Sequence, residues 1–467
     1  MANQTTHKRT MPSTDDSGKG QDQRPSDKID HRTLMIVFIA LVIDLLAFTM
    51  ILPLLPALLD YYGNNEDALY RIMKSSIGSF RQMVGAPDTP RWNSVLFGGV
   101  IGSLFSLLQF LASPVMGAAS DFYGRKPVMI ISMLGIAASY AVWAVSHSFA
   151  IFVIARIIGG ISKGNVSLST AIVADICPPE KRGRGMAVIG VAFSVGFIVG
   201  PLIGAFFSQQ ARIHDNMFFT TPALFALLLA LIDVAFVVVC LKETLPQDKR
   251  AKTLDTGLRR AKYLLSPLSL FRFEAVDKLH PKDLKVMRNI GGIYFLYLFL
   301  YSGLEFTLTF LTYNRFNFDS LQQGKMFFVI GILMALVQGG YVRRLPPGLE
   351  MRTSIIGMSL LIPSFIMIGL AYQQWVLYTG LLLYAFASAT VVPCMSTVIS
   401  SYGSVDQKGT VLGIFRSLGA LARAVGPIVA STLYWSVGPA ICYAVGGISF
   451  IIPITWLCKT KALQHTD

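Results

Sequence analysis

The sequence predicts an all-α polytopic membrane protein with twelve transmembrane helices. Of its 467 residues, 53% are hydrophobic and only 14% are charged, whereas about 25% of a soluble globular chain is charged. Long, mainly apolar runs recur along the chain, and a run of about 18 residues can cross a ~30 Å hydrocarbon core. Lys and Arg residues collect in the short segments between these runs.

The predicted spans are bounded by prolines and charged residues, such as Arg125-Lys126-Pro127 and Pro178-Pro179, which interrupt or end helices. In chain order they cover 34–56, 94–114, 128–146, 149–173, 185–207, 221–241, 289–312, 325–341, 353–372, 375–397, 409–433 and 437–457. The polar N-terminal segment 1–33 is predicted to be a disordered tail and not a signal peptide, and 458–467 is predicted to be a short C-terminal tail.

The positions of the basic residues predict that both termini lie in the cytosol. The protein would span the plasma membrane or an intracellular membrane. Clusters of Lys and Arg fall in the two tails and in the predicted loops 115–127, 174–184 and 343–352. The alternate short loops at 147–148, 373–374 and 434–436 carry none, and 57–93 is the long outer loop. This alternation is the one that the positive-inside rule describes.

A basic cytosolic linker at 242–288 divides the chain into six-helix bundles at 34–241 and 289–457. A shift of 226 residues aligns Gly200-Pro201 with Gly426-Pro427, and the same shift aligns Gly183 with Gly409. Transporters built from repeated bundles bind their solute between the repeats. We therefore predict two similar bundles around a central site.

A charged motif with two glycines follows the second span and reads GAASDFYGRK from Gly117 to Lys126. The glycines permit a tight turn, and Asp121 can pair with a basic residue or cap a helix N-terminus. The alternative is an ordinary solvated turn. We predict that the motif and its neighbours form a cytosolic gate that holds the two halves together. The predicted gate residues are Gly117, Asp121, Gly124, Arg125, Lys126, Asp175 and Glu180.

The fifth span contains a ridge of small residues, Gly196, Gly200 and Gly204, with Pro201 inside it. Small residues four apart let helices approach closely, and proline bends a helix. A Gly-x-x-x-Gly spacing alone also occurs at ordinary packing interfaces. The embedded Gly-Pro favours a functional role for this ridge.

Inserting an ionisable side chain into the membrane costs roughly 2.5–3.5 kcal/mol on insertion scales. Ionisable residues inside the predicted spans therefore indicate a functional or structural role. Two pairs of bases, each seven residues apart, project from one face of their helix and predict two cationic stripes that bind an anionic solute. They are Arg156 and Lys163 on the fourth span, and Arg416 and Arg423 on the eleventh.

Acidic residues would supply proton coupling. Asp44 is the expected counter-ion of the bases on the fourth span, and Glu305 that of a second-half base. A solute that competes for the base would leave the desolvated carboxylate to take up a proton. The alternative for these residues is a structural ion pair between helices, which is the reading we prefer for Asp233 on the sixth span.

Both motifs resemble signatures of the major facilitator superfamily. The segment from Gly117 to Lys126 is similar to its G-x-x-x-D-x-x-G-R-[RK] motif, and the ridge from Gly196 to Gly204 is similar to the G-x-x-x-G-P-x-x-G motif of its antiporters. Asp44 with Pro53, and Arg156-Ile-Ile-Gly-Gly160, resemble the tetracycline exporters among the drug:proton antiporters. The chain also resembles the animal tetracycline-transporter-like branch of this group.

The resemblance covers roughly residues 34–205 and implies a central cavity lined mainly by helices one, four, seven and ten. The second half departs from the pattern. Its counterpart of the gate motif, at 340–348, has no Asp, and the eighth and ninth spans contain no His, Asp or Glu. Bacterial tetracycline exporters carry such residues there, so tetracycline is not expected to be the natural substrate.

The function predicted from these patterns is proton-coupled transport of small organic anions or amphipathic drugs by alternating access. A uniporter or symporter of the same fold, or a non-transporting receptor or scaffold, stays open. No HExxH or phosphate loop indicates an enzyme, and five cysteines without a CxxC pair indicate no metal or cofactor. The net charge of +14 lies in loops, so we expect a monomer in the bilayer without a nucleic-acid partner.

Overall fold

A computed structural model describes nearly all of the hydrophobic part of the chain. The described residues are 30–64, 67–84, 90–178, 182–214, 219–250, 262–276, 280–346, 348–402 and 408–464. Within these ranges the regular elements are helices and no strand occurs. Most of the predicted N-terminal tail lies outside the described residues, and so does Glu180 of the predicted gate.

Twelve helices within the described ranges are long and apolar enough to cross a membrane, which confirms the predicted number and fold class. They are α1 His31–Asn64, α2 Asn93–Tyr123, α3 Arg125–Ala144, α4 Phe149–Ile176, α5 Val188–Gln210, α6 Thr220–Cys240, α7 Pro281–Phe316, α8 Ser320–Arg344, α9 Glu350–Leu370, α10 Gln374–Ser400, α11 Thr410–Val437 and α12 Pro439–Lys461.

Because the number of crossings is even, the start of α1 and the end of α12 lie on the same face of the molecule. We call this the terminal face and the other the opposite face. Helix α2 therefore runs from the opposite face to the terminal face, and α11 runs in the reverse direction.

Several helices extend beyond the predicted spans. Helix α2 continues to Tyr123 through the predicted loop 115–127, so Gly117 is helical and only Gly124, with a φ of 105°, forms the turn. Helix α7 begins at Pro281 and not at 289, and the last helix continues to Gln464. The predicted loop 57–93 contains the helix Ala68–Val84. Hydropathy records only the part of a helix that lies in hydrocarbon, whereas the backbone hydrogen bonds continue into water.

Two helices break where chemistry is expected. The α1 backbone ends its regular part at Thr49 and passes through a 3₁₀ turn at Leu52–Leu54, which contains Pro53. Helix α4 breaks between Ser162 and Asn165, so Lys163 caps the first segment instead of continuing it. The hydroxyl of Ser132 donates to the freed carbonyl of Ser162 at 2.6 Å.

The two halves meet along two matching seams, α2 with α11 and α5 with α8. A Cβ added to Gly99 of α2 would lie 3.1 Å from the carbonyl oxygen of Pro427, and one on Gly324 of α8 would lie 3.0 Å from that of Pro201. The 226-residue shift aligns Pro201 with Pro427, and the carbonyl of each proline thus lies close to a glycine of the other half. Helix α2 and helix α11 are also joined by a 3.0 Å hydrogen bond from Trp435 Nε1 to Asn93 Oδ1 at the opposite face.

The α2–α11 seam opens toward the terminal face. A side chain on Gly99 would collide with Ser431, yet one on Gly117 or on Gly413 would meet nothing within 4 Å among the described atoms. Gly117 follows Gly99 by eighteen residues, and Gly413 precedes Ser431 by eighteen. At 3.6 residues per turn, eighteen residues make about five full turns, so the two residues of each pair lie on the same face of their helix. Along this seam the halves therefore touch near the opposite face and leave open space near the terminal face.

Candidate functional site

The centre of the first half contains a buried ion pair. Lys163 Nζ lies 2.7 and 2.8 Å from the two carboxylate oxygens of Asp44, and side-chain exposure is 3% for the lysine and 4% for the aspartate. The break in α4 turns Lys163 toward α1. Its ammonium also lies 4.5 Å from the centre of the Phe48 ring, which adds a cation–π contact. The expected pairing of Asp44 with Lys163 is present in this conformation.

Arg156 does not share that carboxylate. Its guanidinium carbon lies 5.5, 5.6 and 6.0 Å from the ring centres of Phe105, Phe152 and Trp143. Its Nε is buried and has no hydrogen-bond partner in the described part of the chain. Aromatic faces attract a cation but leave its N–H donors free. The two bases on α4 thus occupy different surroundings, and Asp44 is the direct partner of Lys163 alone.

The acid of the second half is held by phenols. Glu305 Oε1 accepts hydrogen bonds from Tyr384 at 2.7 Å and from Tyr301 at 3.3 Å. The two phenolic oxygens are 2.5 Å apart, and Ser388 Oγ lies 2.7 Å from that of Tyr301. No ion pair of Glu305 occurs among the described residues, although the charge of Arg423 acts on it at longer range. The site therefore connects α7 with α10 through a hydrogen-bond network.

Arg416 and Arg423 are both exposed on α11. Their common face points away from Val425 and Val429, which are 38% and 45% exposed on the other side of the helix. Apolar residues face lipid, so the arginines face the interior of the molecule. Arg416 Nη2 also lies 3.7 Å from the sulfur of Met186, on the helix that continues into α5 of the other half. The predicted stripe on α11 thus borders the open end of the seam.

The predicted gate residues form a network at the terminal face of the first half. Arg125 is 8% exposed and donates to Asp175 at 2.8 Å and to Asp121 and Ser120 at 2.6 Å. Its described partners all belong to the first half. The network fixes α2, α3 and α4 relative to one another, whereas the expected latch between the halves is not part of the contacts seen in this conformation.

Glu243 completes this network and was not predicted. Its carboxylate accepts hydrogen bonds from the backbone N–H groups of Arg125 at 2.9 Å and Lys126 at 3.2 Å, so it caps the N-terminus of α3 across 118 residues of sequence. Burial alone would raise the pKa of Glu243, but these bonds, a third from the Leu245 N–H and the charge of Arg250 hold it below its ordinary value. A Cβ on Gly124 would lie 2.5 Å from this carboxylate, so the turn requires glycine for space as well as for its positive φ.

The glycine ridge of α5 packs against α1. Added Cβ atoms on Gly196, Gly200 and Gly204 would collide with the backbone or side chains of α1, namely Leu45, Thr49 and Met50. Thr49 Oγ1 donates to the carbonyl of Gly196 at 2.8 Å. The ridge and Pro201 therefore fix α1, which carries Asp44, within the first half.

Asp233 does not form the structural ion pair that we expected. It is 2% exposed, its Oδ1 is buried without a hydrogen-bond partner, and it has no ion pair within the described part of the chain. Among the functional neighbours that sequence reasoning missed, Tyr301 lies one helical turn before Glu305 and was detectable from that spacing. Tyr384, from another helix, gives no local signal.

Three comparisons place this geometry in a known family. A family model described as the Major Facilitator Superfamily matches residues 37–427. A mouse (Mus musculus) protein, major facilitator superfamily domain-containing protein 10, is 51% identical over 95% of this chain and 96% of its own length. The tetracycline resistance protein, class E, of Escherichia coli is 26% identical over 86% of this chain and 88% of its own.

A crystal structure of the human organic anion transporter MFSD10 (TETRAN) superposes on this fold with a TM-score of 0.77. That chain is 51% identical, and the match covers 93% of this chain and all of that one. The twelve spanning helices, the two seams and the network around Arg125 occur in a chain whose sequence matches the family over most of its length. The chain therefore belongs to the major facilitator superfamily.

Proposed function

We propose that this protein is a proton-coupled secondary transporter of small organic anions or amphipathic drugs, which works by alternating access between its two six-helix halves. The terminal face is cytosolic in this proposal, because the basic loops border it. In the conformation described above, the solute path would then be open to the cytosol and closed at the other side.

The observation that carries the proposal is the exposure of Arg416 and Arg423 on the inward face of α11. Neither arginine has a carboxylate within ion-pair distance among the described residues. Two positive charges beside an opening in a membrane protein attract anions and raise their local concentration. The human relative's description as an organic anion transporter supports the same solute class for this chain.

Proton coupling would use Asp44 and Glu305. An anionic solute near the centre would compete with Asp44 for Lys163, and the released carboxylate, shielded from water, would favour its neutral form. Glu305 is held by Tyr301 and Tyr384 instead of a base. Its protonation would change which of these groups donates hydrogen bonds, and so would change how α7 and α10 are held together.

The decisive experiment is uptake into proteoliposomes with an imposed pH gradient, using a fluorescent organic anion, an organic cation and a zwitterionic dipeptide as probes. We expect the anion to move preferentially and the gradient to accelerate it. Replacing both arginines, Arg416→Gln with Arg423→Gln, should lower anion uptake at least about tenfold, since one charge-assisted contact contributes about 1.5–3 kcal/mol. Arg344→Gln, at the exposed end of α8 on the terminal face, is the matched control.

The coupling residues are tested in the same vesicles. Asp44→Asn and Glu305→Gln should each reduce the acceleration by the gradient. Anion flux that ignores the gradient would instead support the facilitator alternative. Preferential movement of the cation would overturn the anion assignment, and binding of all three probes without flux would indicate a receptor.

A further inference from the structure

Asp233 of α6 faces a small cavity behind Asp44. The cavity lies between α1, α3 and α6 and has about 10 Å³ of free volume, roughly what one water molecule needs. It is lined by Asp44, Ala47, Met133, Ile136, Tyr140, Ala230 and Asp233. Asp233 is 98% buried, and its Oδ1 has no hydrogen-bond partner among the residues that the structure describes.

The charges around this cavity do not balance. The groups that face Asp233 are Asp44 from α1, Tyr140 from α3 and, behind Asp44, Lys163 from α4. The ammonium of Lys163 contacts both oxygens of Asp44 and so compensates one carboxylate. A second ionised carboxylate in this apolar enclosure would have no counter-charge, which a buried charge requires.

We propose that Asp233 binds a proton and, with Asp44 and a single water in the cavity, forms a proton-holding site on the side of α1 that faces away from the solute path. While Lys163 remains on Asp44, the proton resides on Asp233. When a solute draws Lys163 away, the proton crosses the water to Asp44: one O–H bond breaks at Asp233 and one forms at Asp44. A second proton, taken up from the aqueous phase, then neutralises the Asp233 carboxylate. Nothing is oxidised or reduced.

This inference deepens the proposed proton coupling, and its test does not depend on transport, so the two can fail separately. The full chain, purified in detergent, is examined by infrared spectroscopy at neutral pH for the carbonyl stretch of a protonated carboxylic acid. We expect part of this band to disappear in Asp233→Asn and to persist in Asp319→Asn, a matched change at an exposed helix cap. In Asp44→Asn with Lys163→Met, which removes the acid and the base of the ion pair together, the Asp233 contribution should remain.

A second measurement separates a proton from a metal cation. Because asparagine mimics the neutral acid, Asp233→Asn should unfold at about the wild-type temperature, and the wild-type temperature should not depend on exchanging sodium for choline. Asp233→Leu serves the spectroscopic test if the Asn variant does not fold. An unchanged carboxylic-acid band in both variants overturns the proposal. A sodium-dependent stabilisation that Asp233→Asn abolishes also overturns it, in favour of a cation site.

Discussion

The two halves of the molecule hold their central charges in different ways. In the first half, Asp44 and Lys163 form an ion pair at 2.7 Å that is almost fully buried. In the second half, Glu305 is bonded to tyrosine hydroxyls, and the arginines of α11 are exposed. One half therefore keeps acid and base together, and the other keeps them apart, although the same kind of glycine contact occurs at both seams.

This difference indicates that the two halves respond differently to a bound anion. A buried ion pair contributes little net stability, but removing one partner is costly because a bare charge remains. The first half is thus sensitive to anything that competes for Lys163. The second half has no such buried ion pair among its described residues, since Arg416 and Arg423 are exposed and Glu305 is hydrogen-bonded to tyrosines. Its bases are available to a solute without breaking an existing pair.

The largest effect expected from this contrast is the loss of stability in Lys163→Met. The variant leaves the Asp44 carboxylate buried and unpaired, which should lower the free energy of unfolding by about 3–5 kcal/mol. Thermal unfolding of the detergent-solubilised chain measures this directly. Arg423→Gln, which removes an exposed base from the other half, should change the same quantity by less than about 0.5 kcal/mol.

The double variant Asp44→Asn with Lys163→Met sharpens this test. Replacing both partners removes the bare charge, so most of the lost stability should return. If the double variant is as unstable as Lys163→Met alone, the cost comes from packing around the lysine and the contrast between the halves is wrong.

A smaller effect is expected for the acid of the second half. Tyr384→Phe removes the 2.7 Å hydrogen bond to Glu305 and the oxygen that Tyr301 contacts at 2.5 Å, but leaves Tyr301 as a donor to Glu305. The free energy of unfolding should fall by about 1.5–3 kcal/mol, the range for one hydrogen bond to a charged group. Tyr378→Phe, at a partly exposed position of the same helix, is the matched control. Equal losses in the two variants would mean that the phenol of Tyr384 does not hold Glu305.

The sequence predicted the fold more completely than the site. Hydropathy and the charge of the loops were sufficient for all twelve spans, because crossing a membrane imposes length and composition on each helix separately. Helix ends were missed where a helix continues into water, as at Tyr123 and Pro281. There the backbone hydrogen bonds persist, but the apolar signal stops.

The site was predictable only where charge alone decides the partner. Opposite charges inside hydrocarbon predicted that Asp44 would meet a base of α4, and it meets Lys163. The seven-residue spacing wrongly suggested the same surroundings for Arg156, because α4 breaks at Lys163. Tyr384 and Glu243 reach their partners across 79 and 118 residues, and polar groups that distant leave no pattern in a single sequence.

The smallest effect concerns the terminal face, where the halves also differ. In the first half the N-terminus of α3 is capped by the distant Glu243. In the second half Glu350 begins α9 itself and accepts a local bond from the Gly348 N–H at 2.7 Å. Glu243→Gln should therefore lower the free energy of unfolding at neutral pH by about 0.3–1 kcal/mol, the range for a charge at a helix end. Glu350→Gln, with only a local bond to lose, is the matched control and should lose less.

The pH dependence of Glu243→Gln identifies the carboxylate as the cause. The folded protein holds the pKa of Glu243 below its ordinary value, against the effect of burial, through its backbone bonds and Arg250. An acid with a lowered folded-state pKa stabilises above its unfolded pKa, about 4.3 for glutamate, and loses this contribution as pH falls through the folded value. The stability difference between wild type and Glu243→Gln should thus be constant from pH 7 to about 5 and shrink below about pH 4. If the stability difference stays constant below pH 4, the loss comes from the altered packing of the side chain and not from its charge. The cap would then be no more than a packing contact.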